Sequence, residues 1–109
     1  MDKSKIVKPI YWTGRALKDL QKITVFNIEL LGREKAAIIS MEIYNTVLIF
    51  QNPDFDYVNI GAVDDAFPNL KRQYRKLTVG HYKVNYREGA AKILISRIFD
   101  TRQHPRINK

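Results

Sequence analysis

Residues 74–100 read YRKLTVGHYKVNYREGAAKILISRIFD. Three runs rich in β-branched and aromatic residues, Tyr74–Val79, Tyr82–Arg87 and Lys92–Phe99, are separated by Gly80-His81 and by Glu88-Gly89-Ala90. Glycine at such points supplies the backbone freedom of a tight turn, so the stretch predicts three antiparallel strands joined as hairpins. Side chains alternate across a strand, which puts Tyr82, Val84 and Tyr86 on one face and His81, Lys83, Asn85 and Arg87 on the other. In the last run the same rule sets Ile93, Ile95, Arg97 and Phe99 against Leu94, Ser96 and Ile98. The tyrosine face suits packing against helices; the opposite face is left to carry lysines and arginines.

Upstream, Pro9–Trp12 reads as a short strand, confined by its proline to an edge or a first position. Thr13 is a plausible N-cap, Asp19 lies near the helix start and Gly32 closes the segment, which predicts a helix over 14–31 with Ala16, Leu20, Ile23, Phe26 and Leu30 as its buried stripe. A second helix, 34–50, carries two apolar rows: Ala37, Met41, Tyr44 and Leu48, and Ile39, Ile43, Val47 and Phe50. A helix apolar over so much of its circumference needs partners on two sides, which places it between the first helix and the sheet. Asn52-Pro53 ends it, because proline disfavours helical geometry in the residue before it. Residues 53–70 form a long acidic connection to which the pattern assigns no structure. The expected fold is therefore α+β: a short N-terminal strand and a two-helix hairpin packed on one face of an antiparallel sheet of three C-terminal strands. A chain of 109 residues supports one core, so residues 1–109 read as one domain.

The net charge of +8 is unevenly distributed. Through Leu70 there are 8 Lys+Arg against 9 Asp+Glu, whereas from Lys71 onward there are 11 against 2. A cationic excess gathered into the last third of a chain is the footprint of a polyanion or acidic-protein binder. Cysteine is absent, which excludes disulfides and thiolate metal sites. No apolar run approaches the roughly 20 residues of a membrane span, and the N-terminus lacks a signal-peptide pattern. The expectation is a soluble cytoplasmic protein with no membrane partner.

Three segments, WTGRALKDLQKI, RKLTVGHYKVNYR and ILISRIFDTRQHP, in this order and at this chain length, resemble the RelE/ParE superfamily of bacterial toxins, the poisonous halves of type II toxin–antitoxin modules. The resemblance implies a compact toxin neutralised by a cognate antitoxin that wraps its surface. RelE-like members cut mRNA on the ribosome and ParE-like members poison DNA gyrase, so fold alone does not choose between them. The expectation is ribosome-dependent mRNA cleavage, carried by the arginines and histidine named below, with gyrase poisoning as the alternative; a toxin that has lost activity and only binds antitoxin is a third reading.

For the RelE-like activity, an endoribonuclease working without metal or other cofactor, the resemblance assigns Arg75 and Arg102 to the scissile phosphate. An arginine fork stays charged and donates two hydrogen bonds at once. His104 is the residue of the tail suited to moving a proton near neutrality. Lys71, Arg72, Lys83, Arg87, Arg97 and Arg106 are the surrounding cations expected to bind substrate. The sequence also departs from that pattern: no tyrosine follows Tyr86, and residues 53–70 hold no lysine.

Overall fold

The computed structural model describes residues 8–52, 62–63 and 74–102. The elements are β1 (Ile10–Trp12), α1 (Gly14–Leu31), α2 (Arg33–Val47) with a single 3-10 turn at Leu48–Gln51, β2 (Ala62–Val63), β3 (Arg75–Val79), β4 (Tyr82–Glu88) and β5 (Ile93–Asp100). They form the expected α+β arrangement, but the sheet has five strands in the order β1-β5-β4-β3-β2. The three C-terminal strands are its antiparallel centre. β1 adds to β5 in parallel, Ile10 opposite Ile93, and β2, inside the acidic connection, adds antiparallel to β3.

Local chemistry accounts for the boundaries. Thr13 is extended, and its hydroxyl accepts the Ala16 N–H at 3.2 Å while donating to the Ile95 carbonyl at 2.8 Å. One side chain thus caps α1 and ties its start to β5. Gly32 ends α1 at φ 92°, a value that suits only glycine, with its N–H on Ile28 O at 2.9 Å. Asn52 is extended before Pro53, as the sequence requires. Gly80 takes φ 57° in the two-residue turn that sets Val79 opposite Tyr82.

The core lies between one sheet face and the helical hairpin. It comprises Ala16 and Ile23 from α1, Ile43 and Val47 from α2, Phe50, and Tyr82, Val84, Tyr86, Ile93, Ile95 and Ile98 from the sheet. Tyr86 meets Phe50 ring to ring at 4.6 Å, so the tyrosine face of β4 is core, as its alternation indicates. Trp12 packs beside Tyr44, ring centroids 6.0 Å apart.

Three expectations about the apolar pattern are corrected. The buried face of α1 is Ala16, Asp19, Ile23 and Asn27, whereas Phe26 and Leu30 are 50% and 59% exposed. Two polar residues take positions in the stripe because each finds a partner: Asn27 Nδ2 donates to Tyr82 Oη at 2.9 Å, and Asp19 is paired as described below. In α2 the row Ile39, Ile43, Val47 and Phe50 faces inward, but Met41, Tyr44 and Leu48 are 54%, 43% and 41% exposed, Tyr44 beside Trp12. The third correction is in β5. Asn85 pairs with Arg97 and Tyr86 with Ile95, so Ser96 is an extra residue, a β-bulge, with its hydroxyl on Asn85 O at 3.2 Å. A bulge exchanges the faces beyond it. Ile93 and Ile95 therefore share the core with Ile98, while Arg97 and Phe99 join Leu94 on the outer face.

Candidate functional site

The outer sheet face follows from this register. Cross-strand partners project to the same side, so Lys76, Asn85 and Arg97 form one row, Thr78, Lys83 and Phe99 a second, and Arg87 and Leu94 a third. Lys83 and Arg87 lie two residues either side of Asn85 along β4. Lys76 and Arg97 lie on the strands flanking it, roughly 10 Å apart at the usual strand spacing. Asn85 is 1% exposed at the centre of the four cations. None of these eight described outward positions is acidic.

Phe99 gives the patch a rigid floor. Lys83 Nζ sits 4.9 Å and the Arg97 guanidinium 4.6 Å from its ring centroid, contacts in which the ring face attracts the cation. Arg97 also turns to the edge of β5. Its Nε lies 2.7 Å from Asp19 Oδ2 and its Nη2 3.3 Å from Oδ1, and Asp19 Oδ2 accepts the Ile98 N–H at 3.0 Å. Beyond Trp12 the strand β1 no longer covers this edge, and α1 supplies a carboxylate in its place. Arg97, expected as a binding residue, is therefore also a pin between helix and sheet.

The sequence-derived residues separate into groups. Lys83, Arg87 and Arg97 come together on the outer face. Arg75 opens β3 opposite Tyr86, half-buried and on the same side as Leu77 and Val79. Arg102 follows β5 at the other end of the sheet, where Asp100 stands opposite Tyr82. Four residues of β4 separate those levels, roughly 14 Å at the usual rise. Arg102 is clamped by Asp100: Nε to Oδ1 at 3.0 Å, Nη2 to Oδ2 at 2.8 Å, and its backbone N–H to Oδ1 at 2.9 Å. Lys71, Arg72, His104 and Arg106 lie outside the described residues. Lys76 was not singled out from the sequence, although its position one residue before Leu77 in a predicted strand places it beside Asn85. The spacing of Asp19, Ile23 and Asn27 at every fourth position was the available signal for a polar pair on the buried side of α1.

The Arg102 hydrogen bond is the main influence holding the Asp100 carboxyl below the ordinary 3.8, against partial burial, which pushes it up. A carboxyl depressed in the folded state contributes stability that is complete above its unfolded value and is lost as pH falls through its folded value. The clamp is thus expected to persist well below neutrality and to open only beneath pH 3.8. Following the Arg102 Nε–H resonance from neutral pH down to about pH 2 checks this; a midpoint at or above the ordinary carboxyl value would contradict it.

A search of solved structures finds close similarity to a chain of the "Chromosomal ParDE TA system from P. aeruginosa" at a TM-score of 0.69 and 26% identity, covering 86% of this chain and 96% of that one. The chain is a RelE/ParE-superfamily domain. No family model and no curated protein matches the sequence. The two arginines expected to grip one phosphate stand at different levels of the sheet, while Lys76, Lys83, Arg87 and Arg97 share its outer face. Among the described residues no helix is long and apolar enough to cross a membrane.

Proposed function

We propose that this protein is the toxin of a type II toxin–antitoxin pair and acts in the ParE manner, by docking its basic sheet face on DNA gyrase at its DNA rather than by cutting mRNA. The observation that carries this reading is the placement of the cations. Cleavage needs a base, an acid and positive charge converging within hydrogen-bond reach of one phosphate. Arg75 and Arg102 instead stand at levels of β4 roughly 14 Å apart, and Arg102 has two of its donors engaged by Asp100. Lys76, Lys83 and Arg87 spread charge over a broad surface, which suits docking on a protein–DNA complex. The similarity to a chain of a ParDE system supports the same side of the superfamily. Induction followed by parallel mapping of DNA breaks and RNA ends tests it: gyrase-dependent DNA breaks are expected, and codon-positioned cuts in translated messages would establish the RelE-like alternative.

The antitoxin seat in this reading is the back of the helical hairpin. Thr24 and Ser40 hydroxyls meet at 2.6 Å and hold the helices side by side. Along the same seam Leu17 and Ile28 of α1 and Met41, Tyr44 and Leu48 of α2 are exposed. Met41, Tyr44 and Leu48 recur at helical spacing, the form of surface that receives an amphipathic segment. Replacing Met41 and Leu48 together by Glu is expected to abolish rescue by the co-expressed antitoxin, weakening the complex by at least about 100-fold, while toxicity persists. Rescue at wild-type level would move the antitoxin elsewhere.

A further inference from the structure

At the Arg102 end of the sheet, the β3–β4 turn and the two helices enclose a cleft of about 340 Å³, separate from the basic face. That volume lies at the lower end of the range for small-ligand sites. Leu31, Ile39 and Val79 supply apolar walls, and Tyr82, Asn27 and Arg102 supply the polar end.

The polar end offers donors from Tyr82 and Arg102. Tyr82 is 5% exposed, and its hydroxyl oxygen receives Asn27 Nδ2 at 2.9 Å and Arg102 Nη2 at 3.4 Å. With two N–H groups on that oxygen, the phenol's own proton is directed away from both and remains to be donated, in a residue that lines the cleft. Arg102 uses Nε and Nη2 on Asp100 and Tyr82, and Nη1 makes no hydrogen bond among the described residues. Its plane is set by Asp100, so the remaining donor is held in place before any ligand arrives. A hydroxyl donor and a guanidinium donor beside apolar walls ask for an anionic acceptor on an apolar stem. Glu42, also on the lining, disfavours a ligand with a second negative charge such as a nucleotide.

We propose that this cleft binds a single carboxylate carried on a branched aliphatic stem, with the carboxylate between Tyr82 Oη and Arg102 Nη1 and the stem against Leu31, Ile39 and Val79. Both a free organic acid and a glutamate side chain of a bound peptide have this chemistry. The test is titration of the ¹⁵N-labelled full chain with 4-methylpentanoate, with its neutral amide, and with the capped peptides Ac-Leu-Glu-Leu-NH2 and Ac-Leu-Gln-Leu-NH2. Saturable shifts of the Asn27, His81, Tyr82 and Arg102 amides are expected with the acid, and binding at least about tenfold weaker with the amide, as for a hydrogen bond to a charged group. Arg102→Gln and Tyr82→Phe should each weaken the acid by a similar factor, with the rest of the spectrum showing that both remain folded. Binding of the Glu peptide over the Gln peptide assigns a peptide side chain as the source, and binding of the small acid alone assigns a free acid. Equal binding of acid and amide, shifts confined to the Lys76, Lys83 and Arg87 face, or unchanged affinity in both variants would overturn the proposal.

Discussion

Asp19→Ala is expected to destabilise the fold by about 3 kcal/mol, a fall in Tm on the order of 15 °C for a domain of this size. Asp19 is 8% exposed, and its carboxylate accepts three hydrogen bonds, from Arg97 Nε and Nη2 and from the Ile98 backbone. Alanine would leave Ile98 N–H unpaired at the stretch of β5 that β1 does not reach, and would strip Arg97 of its counter-charge. Each loss costs more than the bond was worth, because the remaining partner stays largely desolvated. Asp19→Asn keeps one acceptor oxygen and should cost clearly less. Thermal and denaturant melts of the three proteins check both values; a change under about 1 kcal/mol for alanine would show that water replaces the carboxylate without penalty.

Charge reversal on the sheet face should have the largest effect on function. The triple change Lys76→Glu, Lys83→Glu and Arg87→Glu replaces three positive charges by three negative ones on a surface where no described outward residue is acidic. The loss of attraction and the new repulsion act together, so binding to a polyanionic assembly is expected to weaken by well over about 100-fold and toxicity to disappear. The hairpin seam is on the other side of the core, so antitoxin binding should persist, and that complex serves as the test of folding. If the reversed protein still arrests growth, the face is not the effector surface.

Much of this architecture is legible in the residues themselves. Thr13, Gly32, Asn52-Pro53 and Gly80-His81 are local signals whose physics is complete within a few positions, and the helices and hairpins begin and end where they indicate. What depends on tertiary pairing was not legible. The bulge at Ser96 leaves no mark in composition, yet it transfers Ile98 into the core and Arg97 and Phe99 out of it. The roles of Asp19 and Asn27 required knowing that β5 runs past the end of β1 and that Tyr82 presents its hydroxyl to α1. The apolar row Met41, Tyr44 and Leu48 looked like core because hydropathy alone cannot distinguish an exposed apolar face from a buried one. Charge asymmetry pointed to the C-terminal third, but alternation across strands was needed to separate Lys76, Lys83 and Arg87 from Arg75.

In the proposed function the Lys76, Lys83 and Arg87 face acts on gyrase at its DNA. The most direct measurement is gyrase acting on a supercoiled plasmid with ATP in the presence of the purified chain. Linear DNA released by protease after trapping is expected with the wild-type protein and not with the triple Glu variant. Equal DNA cleavage by both, or none by either alongside ribosome-dependent RNA cleavage by the wild type, would contradict the account.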